Sequence, residues 1–217
     1  MLEDGLSYPF RGEWVGRLII GGALSFLSVL LIPVIFINGY LYRVIAQTVT
    51  AGDDTPPEFN QWGELAVKGI GVTVIAVVYA FVPLVLYTFV TSTLAVGASV
   101  GGDAGGILGA VSAVTGLLAI PVVLVVYYLI PAAIANYASA GALEAAFDIR
   151  AIIDVAFTTE YLLAVLLPIV VAVILWVLTF ILLITIIGAL LIPFVQFYGQ
   201  VVVFRMFGVA YREVAGV

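Results

Sequence analysis

Residues 161–204 read YLLAVLLPIVVAVILWVLTFILLITIIGALLIPFVQFYGQVVVF, which is 44 consecutive residues without a charged side chain. As one α-helix this stretch would be about 66 Å long. A helix needs only about 20 apolar residues to cross the hydrocarbon core of a bilayer. The stretch therefore predicts two membrane-spanning helices that fold back on each other, with Ile187-Gly188-Ala189 as the turn between them.

The rest of the chain has the same character. Three further runs carry no charge, at 18–42, 69–102 and 104–143. Of the 217 residues, 65% are hydrophobic and only 9% are charged, whereas a soluble domain carries about 25% charged residues. So few charges cannot cover a surface that faces water, so most of the surface must face lipid. We predict an all-α, polytopic bundle of transmembrane helices that forms a single integral membrane domain over residues 1–217.

The composition also limits the chemistry. The chain has no His and no Cys, and 13 acidic residues against 7 basic ones give a net charge of −6. Disulfides and His-ligated metal sites are therefore excluded, and a chain without a basic patch is not expected to bind nucleic acid. No ionisable residue lies in the middle of a predicted span, which argues against a proton-driven carrier. We expect no enzymatic activity, no catalytic residue, no cofactor and no bound metal.

Charged residues are concentrated in three segments, at about 1–17, 55–68 and 143–160, where they are mixed with aromatic residues. This mixture is typical of amphipathic segments that lie at the lipid–water boundary. Thr55-Pro56-Pro57-Glu58 predicts the start of such a helix, because Thr can cap a helix and Pro suits its first turn. The expected interfacial anchors are Trp14, Phe59, Trp62 and Phe147.

The number of spans depends on residues 14–50, which form either one long span or a hairpin of two short ones. One span gives a total of five and places Arg11 and Arg17 opposite the other basic residues. A hairpin gives about six spans and places all seven basic residues on one side, which the positive-inside rule favours. Residues 14–30 provide only about 25 Å of helix, so the first pair can also be re-entrant. We predict three hairpins, each preceded by an amphipathic segment, with both termini in the cytoplasm.

The phrase Leu-Ile-Pro occurs three times, and a polar side chain follows each proline five residues later. A proline inside a helix bends it and frees a backbone carbonyl. We therefore expect helix kinks at Pro33, Pro131 and Pro193. The polar residues of interest, including two glutamines on one face of the last helix, are Asn38, Asn136, Gln196, Tyr198 and Gln200. They either hydrogen-bond neighbouring helices or form a polar path for a solute.

Several short phrases resemble a known family from end to end. They are YPFRGEW (8–14), GG (21–22), GYLYR (39–43), PPEFNQWGEL (56–65), IPAAIANYA (130–138), AAFD (145–148) and GVAYRE (208–213). The family is an uncharacterised prokaryotic one, domain of unknown function 4013, which is well represented in halophilic archaea. Asn60 and Gln61 stand here where the family leads us to expect acids before Trp62. The resemblance implies a multi-span membrane protein and supplies no reaction, cofactor or catalytic residue.

These observations give two expectations for function. The first is a non-enzymatic scaffold or accessory subunit that works through its surface segments in the cell membrane. The alternative is a transporter or lipid-handling protein for a neutral or amphiphilic solute. Membrane lipids are the expected partners, together with a homo-oligomer or a larger membrane complex.

Overall fold

The computed structural model describes residues 1–51 and 54–216, and within these residues every regular element is helical. This confirms the all-α prediction. The α-helices are α1 (Leu2–Ser7), α2 (Trp14–Phe26), α3 (Ile32–Ala46), α4 (Trp62–Val100), α5 (Gly102–Ala140), α6 (Ile149–Ala156), α7 (Thr159–Leu182) and α8 (Ile186–Ala215). Short 3₁₀ turns cover Tyr8–Phe10, Leu27–Leu30 and Leu143–Phe147, and a π-helical turn extends α3 over Gln47–Ala51.

Five of the described helices are long and apolar enough to cross a membrane: α3 with its extension, α4, α5, α7 and α8. A sixth candidate is the pair Leu2–Phe10 and Trp14–Leu30, which is bent by 93° and is either a broken span or a re-entrant loop. The count thus agrees with the prediction of about six spans or five. Helices α4 and α5 have 39 residues each, or about 58 Å, so each exceeds the roughly 30 Å of the hydrocarbon core.

The chain divides into two compact units. Unit 1 comprises Met1–Thr73 and Pro131–Val217, and unit 2 comprises Val74–Ile130. Helix α8 is the centre of unit 1, where it packs against α7, α2, α3 and α1. Tyr40, Phe197 and Val201 are buried between α3 and α8, and Met206 is buried beneath α1. These buried apolar side chains form the core of unit 1.

Residues 14–50 form a hairpin, with Leu31 at the turn in a left-handed conformation (φ 64°). The flanking segments meet at one end of unit 1. Tyr8 donates a hydrogen bond from its hydroxyl to the Thr55 carbonyl over 3.3 Å, and Arg17 donates one to the Pro56 carbonyl over 2.8 Å. The segment before α2 therefore lies beside the segment after α3. One long span over residues 14–50 would instead place these two segments at opposite ends.

The predicted helix start at Thr55–Glu58 is wrong, because residues 55–61 are not helical and α4 begins at Trp62. Two consecutive prolines explain the difference, since a residue that precedes proline is driven out of the helical region. The guanidinium of Arg43 also holds the carbonyls of Glu58 and Asn60, each at 3.2 Å, in place of a helical hydrogen bond. The amphipathic segment predicted for 55–68 is therefore a loop followed by the first turns of α4.

The turn in the opening stretch lies at residues 183–185 and not at Ile187–Ala189 as predicted. Thr185 caps α8, because its hydroxyl accepts a hydrogen bond from the Gly188 amide at 2.9 Å. A Cβ on Gly188 would lie 2.1 Å from the Leu182 carbonyl oxygen. Gly188 is thus needed for the close approach of the two helices and does not form the turn itself.

The three Leu-Ile-Pro prolines do not occupy equivalent positions. Pro33 lies in the first turn of α3, where proline starts a helix without kinking it, so no kink arises there. Pro131 and Pro193 lie within α5 and α8.

Unit 2 is the pair of helix segments on either side of the turn at Gly101 and Gly102, both of which have positive φ. Its single charged residue is Asp103, so all seven basic residues of the chain belong to unit 1. Thr93 and Ser112 share a hydrogen bond of 2.6 Å between the two helices.

Candidate functional site

One end of unit 1 contains a charged cluster around Arg205, whose side chain is only 2% exposed. Its Nε donates to Asp4 Oδ2 at 3.1 Å, its Nη2 to Asp54 Oδ1 at 3.2 Å, and its Nη1 to the Thr48 hydroxyl at 3.2 Å. The guanidinium also lies over the Tyr8 ring, 4.4 Å from the centroid, where a cation is attracted to the π face. A buried arginine needs such partners because an unpaired buried charge is strongly destabilising.

Asp4 belongs to two ion pairs, because Arg11 Nη2 also lies 2.6 Å from its Oδ1. Burial raises the pKa of the Asp4 carboxyl, but the hydrogen bonds and charges of Arg11 and Arg205 outweigh burial and hold that pKa below 3.8. The carboxylate is therefore ionised at neutral pH and fixes α1 against α8.

A polar cavity of about 530 Å³ lies beside this cluster, and we call it the arginine cavity. Helix α2 contributes Arg17 to it and α3 contributes Arg43. The remaining lining residues are Gln47, Thr55, Pro56, Pro57, Glu58, Asn60, Gln61 and Glu64. The non-helical loop before α4 thus forms one wall, which explains why the sequence prediction of a helix there did not reveal the cavity.

The two arginines differ in how their charge is compensated. Arg43 lies 3.5 Å from the Glu64 carboxylate and donates to Asn60 Oδ1 at 2.7 Å. Among the described residues, the hydrogen-bond acceptors of Arg17 are two backbone carbonyls, those of Pro56 and Arg11. It forms no ion pair with any carboxylate in the described residues. The Nε of Arg17 and Oε1 of Gln47 are also buried without a hydrogen-bond partner there.

A groove of about 450 Å³ with a mostly apolar lining lies on another side of α2, and we call it the apolar groove. Its lining residues are Leu6, Phe10, Leu18, Val171, Ile174, Leu175, Leu178, Leu191, Phe194, Val195 and Tyr198. Leu18 directly follows Arg17 in α2, so this helix contributes neighbouring residues to the arginine cavity and to the apolar groove.

The polar residues that follow the Leu-Ile-Pro prolines each hydrogen-bond a neighbouring element. Asn38 donates to the Thr73 hydroxyl at 3.0 Å. Asn136 donates to the Ala145 carbonyl at 2.8 Å and accepts from the Tyr211 hydroxyl at 2.8 Å. The Tyr198 hydroxyl donates to the Leu6 carbonyl at 2.7 Å.

Gln196 and Gln200 lie elsewhere. They line a separate groove of about 350 Å³ between α7 and α8. Gln196 donates to the Thr179 hydroxyl at 3.2 Å. Neither the arginine cavity nor the apolar groove contains these glutamines, and the groove that contains them includes neither Asn38 nor Asn136.

The predicted interfacial anchors lie on several sides of unit 1. Trp14 is 40% exposed and packs edge-on against Phe10. Phe59 is stacked on Tyr40 with 4.2 Å between ring centroids, so it belongs to the core boundary. Trp62 is 44% exposed and Phe147 is 37% exposed.

Sequence reasoning did not single out Asp4 or Arg205, and it used Arg17 and Arg43 only to count spans. One signal was available, because Arg205 directly follows the 44-residue uncharged run. In the part of the chain that the structure describes, no group of three His, Cys, Asp or Glu side chains is placed to hold a metal ion.

Residues 25–184, about three quarters of the chain, match the sequence model of a family described as a protein of unknown function, DUF4013. The chain belongs to this family. No curated protein and no solved structure matches it. Within DUF4013, the matched region takes in Arg43 and the loop wall of the arginine cavity, while Arg17, Asp4 and Arg205 lie outside the match.

Proposed function

We propose that this membrane protein is a non-enzymatic lipid-handling protein. It binds one amphiphilic lipid, with the headgroup in the arginine cavity and a hydrocarbon chain in the apolar groove. The observation that carries the proposal is the position of α2, because its neighbouring residues Arg17 and Leu18 line a polar and an apolar cavity. A lipid has the same polarity contrast within one molecule.

The chemistry of each cavity suits one part of such a molecule. No charged residue lines the apolar groove, so a hydrocarbon chain fills it without leaving a polar group unsatisfied. The arginine cavity offers two guanidinium groups and the side-chain amides of Gln47, Asn60 and Gln61. These groups bind polar headgroups through hydrogen bonds. Ligand sites that combine apolar walls with a few polar groups are common.

A scaffold or accessory subunit is the second candidate, and it rests on the surface segments and on the surface of unit 2, where Asp103 is the single charged residue. We place it second because the surface of unit 2 suits bulk lipid as well as a protein partner. We place a transporter for a neutral solute last, since Asn38, Asn136 and Tyr198 form hydrogen bonds to neighbouring elements.

The proposal is tested by native mass spectrometry of the protein after release from native membranes and detergent washing. We expect a lipid to remain bound at one copy per chain. Leu178→Trp should displace it by filling the apolar groove. Leu117→Trp is the matched control, because Leu117 is 68% exposed in unit 2 and lines no cavity described here.

Two outcomes would contradict the proposal. The first is a wild-type protein that loses all lipid on washing while it keeps a stoichiometric protein partner, which is the result expected of a scaffold. The second is equal lipid retention by the Leu178→Trp and Leu117→Trp variants, which would show that the groove does not hold the lipid.

A further inference from the structure

We infer that the arginine cavity binds the phosphate group of a membrane phospholipid through Arg17 and Arg43. This inference rests on the proposed function, because it names the headgroup chemistry of the lipid that the same site would hold. The occupant is identified by the charge and the hydrogen-bonding groups of the cavity.

Arg17 is the central residue because its charge is not balanced by a carboxylate in the described residues. Its Nη1 donates to the Pro56 carbonyl at 2.8 Å and its Nη2 donates to the Arg11 carbonyl. These neutral acceptors orient the guanidinium without neutralising it. Its Nε is buried and has no hydrogen-bond partner in the described part of the chain. A half-buried guanidinium whose charge is not neutralised attracts an anion with several acceptor oxygens, and phosphate fits this description.

Arg43 lines the same cavity, and its side chain is 15% exposed. Hydrogen bonds from its Nη1 to the Asn60 side chain and backbone fix its position. Its Nη2 has no hydrogen bond within residues 1–51 and 54–216, although Glu64 Oε2 lies 3.5 Å away. Gln47 also lines the cavity, and its side-chain amide carries both donor and acceptor atoms.

The two acids of the cavity do not cancel the attraction at Arg17. Glu64 is 55% exposed and is paired with Arg43. Glu58 is also exposed, so water screens its charge. The uncompensated charge is therefore that of Arg17.

The size of the cavity agrees with a headgroup. A water molecule occupies about 30 Å³ in the liquid, so a cavity of about 530 Å³ has room for a phosphate with its attached alcohol. The side chains that line it come from α2, α3 and the loop before α4. All of them lie at the end of unit 1 where the charged cluster is found.

The test compares phosphatidylglycerol with a diacylglycerol of the same chains, which lacks the phosphate. Delipidated wild-type protein is titrated with each lipid in nanodiscs or detergent, and binding is measured by native mass spectrometry. We expect wild type to bind phosphatidylglycerol about tenfold more tightly than diacylglycerol, and Arg17→Gln to remove that difference. Arg17→Lys keeps the charge and should restore part of it. Arg150→Gln is the matched control, because Arg150 is exposed and lies outside the cavity.

The outcomes separate this inference from the proposed function. Equal binding of both lipids by wild type would overturn the phosphate assignment while lipid binding itself stands. Binding of neither lipid would overturn the proposed function as well. If inorganic phosphate competes as effectively as phosphatidylglycerol, the ligand of the cavity is a soluble anion. That result would contradict the inference that the phosphate belongs to a lipid. The comparison of lipids on wild type decides the question even where an arginine variant does not fold.

Discussion

Arg205 and Asp4 are 201 positions apart in the sequence, and a hydrogen bond of 3.1 Å joins Arg205 Nε to Asp4 Oδ2. This hydrogen bond connects α8 to α1 at the charged end of unit 1. Asp54 contacts the same guanidinium at 3.2 Å. One buried arginine thus fixes three segments that are remote in the chain.

Replacing Arg205 by Met should lower the stability of unit 1 strongly. The substitution keeps most of the side-chain volume but leaves the Asp4 carboxylate and the Thr48 hydroxyl without this donor. We expect a loss of about 3 kcal/mol, the order found when one partner of a buried pair is removed. Thermal unfolding in detergent measures the effect. Arg212→Met in the same helix is the control and should change the midpoint little, so equal losses in both variants would contradict the role of Arg205.

The contribution of Asp4 should depend on pH. Its pKa in the folded protein is below 3.8, its ordinary value, so the folded state favours the ionised form. The corresponding stability is fully present above about pH 3.8. It is lost as the pH falls through the lower, folded-state pKa. Unfolding midpoints measured between pH 6 and pH 2.5 should fall more steeply for wild type than for Asp4→Asn. Parallel profiles for the two proteins would contradict this assignment.

Gly69 should not tolerate alanine. A Cβ at this position would lie 1.8 Å from the Ile35 carbonyl oxygen, because α3 and α4 pack backbone against backbone here. The helices must separate to admit a methyl group, so Gly69→Ala should reduce the folded yield severely. Gly63 in the same helix has no atom within 4 Å of its Cβ position. Gly63→Ala should therefore be neutral or stabilise by less than about 1 kcal/mol. Size-exclusion profiles in detergent compare the two variants.

The hydrogen bond from Tyr211 to Asn136 should contribute modestly to helix association. Interhelical hydrogen bonds of membrane proteins average about 0.6 kcal/mol in double-mutant cycles. We expect a coupling energy of that order from Tyr211→Phe, Asn136→Ala and the double variant. Asn136→Ala should cost more than Tyr211→Phe, because Asn136 also donates to the Ala145 carbonyl. A coupling energy of zero would show that the two residues act independently.

Ser7 and Thr55 should react alike with an impermeant thiol reagent. The Tyr8 hydroxyl bonds the Thr55 carbonyl, so positions 7 and 55 lie at the same end of unit 1. In intact cells we expect Ser7→Cys and Thr55→Cys both to be protected, because the positive-inside rule places the basic segments in the cytoplasm. Asp103→Cys should be labelled as the positive control. Labelling of Ser7→Cys alone would contradict both the hairpin and the predicted topology.

The membrane class and the helical hairpins could be predicted from the sequence. In hydrocarbon a backbone must satisfy its own hydrogen bonds, so long uncharged runs become helices whatever their neighbours are. The same local logic predicted a kink at Pro33, which the structure instead places in the first turn of α3. It misplaced the start of α4 and the turn before α8, because Arg43 and Thr185 decide those boundaries through contacts outside the local pattern.

What only the tertiary structure decided is which polar groups meet. The sequence contains Arg17, Arg43, Asp4 and Arg205 as isolated charges at the ends of apolar runs. Nothing in their spacing predicts that the first two share a cavity or that the last two form an ion pair. The physical reason is that an apolar helix in lipid presents similar surfaces all round. Its rotation and its neighbours are then set by side-chain packing, such as the contacts of α8 with α2 and α3, and not by an amphipathic stripe.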